Sequence, residues 1–318
     1  MVESGVRHHP EAFVTSNGVR LCYDTFGEPH DPPLLLIMGL AAQMILWDDE
    51  FCARLAERGR YVVRFDNRDI GRSTRFDGVR APGLARYAFA RLTRTPFRTP
   101  YTLGDMAGDA AGLLDALGIA SAHVAGASMG GAIAQEMALH FRPRVRTLTA
   151  IMSTSGNPKL PQPTRAALRV LLRRAPLGKE AYVKHYVESW RVLSGNVLPF
   201  DAERTRQTGL ATFERGVNPA GAARQFAAIV ASGNRRPALA SLDVPTLVIH
   251  GTADRLVSPS GGRATARAIP GARLLSIEGM GHDLPRVLWP QLIDAIAEHA
   301  ASADAHATGA RAAQTVPR

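Results

Sequence analysis

A serine among small residues stands at Gly126-Ala127-Ser128-Met129-Gly130, directly after the apolar run Ala122 to Ala127 and before Gly131-Ala132-Ile133. The pattern is G-x-S-x-G. Small flanking side chains let a strand and the following helix meet at a sharp corner, which lifts the serine Oγ above the carboxyl end of a sheet. The helix N-terminus at such a corner favours negative charge developing beside the hydroxyl. The plainer alternative is a serine that only caps a helix.

A serine hydroxyl is a poor nucleophile without a base. His8, His9 and His306 fall near the chain ends, His140 and His299 near helix ends, His30 in a Pro-rich loop and His185 among helical patterns. His123 and His250 fall within or at the end of apolar runs, where a core role is expected. His282 differs, because it sits in Glu278-Gly-Met-Gly-His-Asp-Leu-Pro285, a glycine-flanked loop after the last apolar run and before the last helix. It is the expected base. The base needs a carboxylate to fix its tautomer and stabilise imidazolium. Asp254 follows the run Thr246 to His250, whereas the equivalent loop after residue 152 reads Ser-Thr-Ser-Gly-Asn and holds no acid. Asp283 is too close in sequence to reach round to the far ring nitrogen. The order Ser128, Asp254, His282 is the one this corner motif calls for, with oxyanion donors expected from the backbone N–H groups of Met129 and Leu40. Gly126 and Gly130 are the corner glycines.

The elements that must hold these residues are legible as short apolar runs at 34–38, 61–65, 122–127, 145–152, 246–250 and 273–277. Such continuous runs suit strands buried on both faces of a parallel sheet. Helical periodicity falls between them at 102–118 and 131–141, and after the last of them at 290–300. In the first, Met106, Ala110, Leu113, Leu114 and Leu117 share a stripe, Asp105 and Asp109 suit the positive helix end, and Gly118 stops it. Alternation of strand and helix argues for βαβ units. It lapses between 154 and 240, which predicts a helical insertion over one end of the sheet. Residues 1–153 and 241–300 are then one core, 154–240 a helical cap, and 301–318, without apolar periodicity, a disordered tail.

The chain carries a net charge of +10, with 46% hydrophobic and 21% charged residues, as in an ordinary soluble domain. All but three of its 38 basic residues are arginine. Arginines concentrate in 85–98 and 165–176, mixed with Leu, Phe or Tyr. These segments read either as solvated helix faces or as basic amphipathic pieces suited to an anionic lipid surface. No nucleic-acid motif accompanies the charge, so no nucleic-acid partner is expected. Cys22 and Cys52 are expected to be small buried hydrophobes rather than a disulfide. The first residues lack the apolar stretch of a signal peptide, which predicts a cytoplasmic protein. Without H-E-x-x-H, a Cys/His cluster, a phosphate loop or a dinucleotide fingerprint, no metal or cofactor is expected.

Ile37-Met-Gly-Leu-Ala-Ala-Gln-Met-Ile-Leu-Trp47, Phe65-Asp-Asn-Arg-Asp-Ile-Gly-Arg-Ser73, Gly126 to Gly131, Trp190 to Asp201 and Gly279 to Pro285 together resemble the α/β-hydrolase superfamily. Within it they resemble the group of serine esterases that includes the aclacinomycin methylesterase and the mycobacterial esterase LipG. The resemblance spans about residues 12 to 298 and implies an α/β-hydrolase fold: a mostly parallel eight-stranded sheet flanked by helices, with a helical cap. It also implies hydrolysis of a small-molecule carboxylic ester through Ser128, His282 and Asp254, with thioesters, phospholipid esters or methyl esters of polyketide type as alternative substrates. The acids of Asp66-Asn-Arg-Asp69 read as a structural turn behind the corner, with Arg68 and Asp69 hydrogen-bonded.

Overall fold

The computed structural model describes residues 5–314, except 84, 85, 87, 88, 90, 91, 94 and 96, with side chains as far as residue 306. Eight strands form one sheet: β1 (His8–Ser16), β2 (Val19–Phe26), β3 (Pro33–Ile37), β4 (Tyr61–Phe65), β5 (Ala122–Ala127), β6 (Val145–Ile151), β7 (Thr246–Gly251) and β8 (Arg273–Ile277). Their order is β1-β2-β4-β3-β5-β6-β7-β8. The two pairings of β2 are antiparallel, and those from β4 to β8 are parallel.

The apolar runs are continuous because both faces of the central strands are buried. On β3, Leu35 and Ile37 join one core while Leu34 and Leu36 join the other. Period-two alternation thus feeds two apolar layers at once. The first layer packs under α2 (Leu103–Ala116) and α3 (Met129–His140), through residues such as Leu113 and Ile133. The second packs under α1 (Asp49–Ala56) and the C-terminal helix α10 (Trp289–Gln314), through Phe51 and Leu292. Cys22 and Cys52 are free and buried.

α2 begins at a capping box in which Thr102 and Asp105 satisfy each other's backbone N–H groups. Its expected stripe is buried at Met106, Ala110, Leu113 and Leu114. Asp109 differs from expectation. It does not serve the helix end but is buried, and it accepts two hydrogen bonds from Arg68 at 2.6 Å. Gly118 follows the helix at φ +68°, as a helix stop requires.

Between β6 and β7 the chain forms α4 (Arg165–Leu172), α5 (Lys179–Leu193), α6 (Ala202–Arg215), α7 (Pro219–Ser232) and the single turn α8 (Arg236–Leu239). α9 (Pro259–Ala268) joins β7 to β8. Buried polar links tie the inserted helices to the sheet. Arg224 of α7 donates twice to Asp69, at 2.8 and 2.6 Å, and Tyr101 donates to the same carboxylate at 2.7 Å. Arg68 and Asp69 are therefore structural, as read from the sequence.

Residues 301–314 correct the expected disordered tail: α10 runs without a break to Gln314. Alanine carries the helix where apolar periodicity fails. Asp304 on that extension reaches Arg60 at 2.8 Å and His123 at 3.1 Å. Much of the arginine-bearing stretch 85–98 lies outside the described residues. Among those described, no helix is long and apolar enough to cross a membrane, and no group of His, Cys, Asp or Glu could hold a metal ion.

Candidate active site

β5 ends and α3 starts at one residue, Ser128, whose backbone lies at φ +57°, ψ −119°. A β-carbon at positive φ costs about 1–3 kcal/mol, so the surroundings must hold it there. They do so by close approach. A Cβ on Gly126 would come 2.1 Å from the Gly130 oxygen, and one on Gly130 would come 2.0 Å from the Ile37 oxygen. The Ser128 N–H is also fixed, donating to the Ile151 carbonyl at 2.9 Å. Helix, corner and neighbouring strands thus interlock only with hydrogen at both glycine positions.

Two loops bring the partners. His282 follows β8, and its imidazole is buried. Nε2 lies 2.9 Å from Ser128 Oγ, and Nδ1 lies 2.8 Å from Asp254 Oδ2. Asp254 follows β7 and is itself clamped, because its Oδ1 accepts the backbone N–H groups of Leu256 and Val257, each at 2.9 Å. Burial alone would raise the Asp254 pKa. The His282 charge and the imidazoles of His282 and His250 outweigh it and hold the carboxyl far below the usual carboxylate range. Asp254 is therefore an anion, facing the nitrogen whose proton orients the ring. His250 is buried, with Nε2 2.9 Å from the Val257 carbonyl and 3.4 Å from Asp254 Oδ2.

The loop after β3 carries Gly39 and Leu40 past the serine; a Cβ on Gly39 would lie 3.1 Å from Ser128 Cβ. Among the described residues, neither the Leu40 nor the Met129 N–H donates to a protein acceptor. Both residues line the same cavity as Ser128. Met129 opens α3 and Leu40 lies in the turn after β3; free N–H groups on the wall of a cavity that holds a nucleophilic oxygen can receive an oxyanion. The structure therefore joins Ser128, His282 and Asp254 by hydrogen bonds, places Leu40 and Met129 on the wall of the cavity that holds Ser128, and sets Gly126 and Gly130 at the corner.

The sequence reading missed two side chains that shape this loop. Asn67 donates to the Met38 carbonyl at 2.9 Å. Gln225 of α7 accepts the Ala41 N–H at 3.0 Å and donates to the Arg68 carbonyl at 2.8 Å. No local pattern marks Gln225, because its partners lie more than 150 residues away.

The cavity above Ser128 measures about 850 Å³, with Leu171, Phe226, Val230 and Val257 among its walls. A second cavity of about 350 Å³ is lined by Met38, Met152, Trp190, Phe200, Asp283 and Leu284. Burial pushes Asp283 up to about 6, with the His282 charge opposing and the Asp254 charge adding to the rise. Asp283 does not contact the His282 ring nitrogens; Asp254 occupies that position.

Residues 32–285 match the alpha/beta hydrolase fold family, and the chain belongs to it. Among characterised relatives, it is similar to the rhodomycin D methylesterase DauP of Streptomyces sp. (strain C5), with 34% identity over 92% of this chain and 99% of that one. It is 32% identical, with the same coverage, to the rhodomycin D methylesterase DnrP of Streptomyces peucetius. Among solved structures, a hydrolase from Pseudomonas aeruginosa PA01 superposes with a TM-score of 0.64 at 27% identity, covering 90% of this chain and 96% of that one.

Proposed function

We propose that this protein hydrolyses carboxylic esters through an acyl-enzyme on Ser128. The observation that carries the reading is the relay from Asp254 through His282 to Ser128, at 2.8 and 2.9 Å. His282 Nε2 takes the hydroxyl proton as Ser128 Oγ attacks the ester carbon. The carbonyl oxygen becomes an oxyanion received by the Leu40 and Met129 N–H groups. Collapse expels the alcohol, which takes the proton from His282. Water, deprotonated by His282, then attacks the acyl-enzyme, and the acid leaves with Ser128 restored. Asp254 remains ionised throughout and stabilises the imidazolium. No step needs a metal or cofactor.

The inserted helices act as a cap that sets acyl and alcohol preference, because α4 and α7 supply Leu171 and Phe226 to the cavity wall. The volume of about 850 Å³ suits a bulky acyl group. Methyl esters of large polyketide-type acids are the narrower reading, supported by 34% identity to a methylesterase across nearly the whole chain. Thioesters and phospholipid esters use the same residues.

A panel of p-nitrophenyl esters from acetate to palmitate, with methyl esters, an acyl-CoA and phosphatidylcholine alongside, ranks these substrates. Ser128→Ala is expected to lower kcat by about 10⁴–10⁶ on whichever ester turns over best. Near-wild-type turnover by that variant would reject the reading.

A further inference from the structure

Helix α4 departs from the usual rule that a surface helix buries its leucines. Thr164 caps it, and Ala167 is fully buried beneath. Leu171, on the inner side, lines the cavity that holds Ser128. Yet Leu168 and Leu172 face outward, 41% and 56% exposed, and Leu177 just beyond the helix is 80% exposed. Around them Arg165, Arg169, Arg173 and Arg174 are exposed as well. Positions 165, 168, 169, 172 and 173 follow the spacing of one helical face. Arg173 reaches Glu188, 3.3 Å away, whereas Arg165, Arg169 and Arg174 make no ion pair among the described residues.

We propose that this face docks the protein on an anionic lipid bilayer and sets the cavity of Ser128 against the membrane surface. A second copy of the same face would bring like charges together, which disfavours self-association through it. The pattern of outward leucines ringed by arginines matches the layering of a bilayer interface, apolar just below a plane of anionic headgroups. Arginine stems also extend along apolar surface while their charges stay at headgroup level. The helix is coupled to the reacting groups at both ends of its geometry. The Thr164 N–H donates to the carbonyl of Arg255, the neighbour of Asp254, at 2.9 Å. Leu171 stands between the docking face and the cavity. A lipid-dissolved ester would therefore enter beside α4 without crossing bulk water. That delivery role rests on the ester-hydrolase reading, whereas the docking itself does not.

Vesicle co-sedimentation tests it with three proteins: the wild type, Arg165→Gln with Arg169→Gln, and Leu168→Ser with Leu172→Ser. Pure phosphatidylcholine vesicles are compared with vesicles containing phosphatidylglycerol, at low salt and at about 0.5 M salt, where screening shortens to a few ångströms. The wild type should bind the anionic vesicles only, and lose them in high salt. Each arginine near an anionic surface is worth about fivefold in partitioning, so the double arginine variant should bind about 30-fold more weakly. The leucine variant, unchanged in charge, should also bind more weakly. Both variants should hydrolyse a soluble p-nitrophenyl ester at the wild-type rate but a vesicle-borne ester more slowly. Equal binding to both vesicle types, no binding, or variants that bind like the wild type would overturn the proposal. Binding without any ester turnover would leave the docking intact and remove the hydrolase reading alone.

Discussion

The backbone N–H of His282 donates to the carbonyl of Leu193, 2.8 Å away at the end of α5. The imidazole is thus positioned from two sides, by Asp254 in the core and by the inserted helices through its own main chain. Gly281 makes that contact feasible: a Cβ there would meet the Ser194 carbonyl carbon at 2.3 Å. Gly281→Ala should push the loop off α5 and carry the ring away from Ser128. Displacement of a reacting group by about 1 Å costs on the order of 10² in rate. The expected outcome is a kcat loss of that size, with native circular dichroism retained and melting lowered by loss of the hydrogen bond to α5; wild-type kcat in a folded variant would contradict it.

Asp283 should make the protein less stable at neutral pH than its fold requires. Its folded pKa, near 6, lies above the unfolded value of about 3.9. Below both values the group is protonated in either state and costs nothing. Between them the folded state binds the extra proton, so stability falls as pH rises from about 4 through 6 and stays reduced above. Asp283→Asn should therefore raise the unfolding free energy at pH 7, read from the urea midpoint, by about 1–2 kcal/mol once solvent screening is allowed for, and leave pH 4 stability nearly unchanged. An unchanged midpoint at pH 7 would contradict the assignment.

The pair of Arg68 and Asp109 is buried, with side chains 6% and 1% exposed. Removing one partner strands a charge in the core, so Asp109→Ala should cost about 3–5 kcal/mol in chemical denaturation. Arg68→Met with Asp109→Leu should recover most of that loss, since neither charge then remains. If the double variant is as unstable as the single one, the cost lies in packing rather than in the stranded charge.

The parallel strands and the residues of the candidate site were legible because each rests on local chemistry. Leu34 to Ile37 and Leu247 to Ile249 are apolar throughout, and Ser128, Asp254 and His282 each sit where a strand yields to a loop or corner. The edge hairpin of β1 and β2 was not read, because β1 is largely exposed and β2, though buried, mixes Arg20, Asp24 and Thr25 into its apolar positions. Its turn did carry a signal, Asn17-Gly18, whose φ angles of +49° and +76° are those of a two-residue hairpin turn. The end of α10 was misjudged because alanine propensity, not periodicity, sustains it, with Asp304 held by Arg60 and His123. Gln225 and Arg224 were beyond reach, since what they bind is decided by the packing of α7 against loops far away in sequence.

The central claim is that the hydroxyl of Ser128 becomes acylated. Rapid quenching of the protein with p-nitrophenyl acetate, followed by peptide mass spectrometry, tests it most directly. An acetyl group on Ser128, formed in a burst and absent from Ser128→Ala and from His282→Ala on the same timescale, is the predicted result. An acetyl group carried by a different residue at turnover-competent rates, or full turnover with none on Ser128, would contradict it.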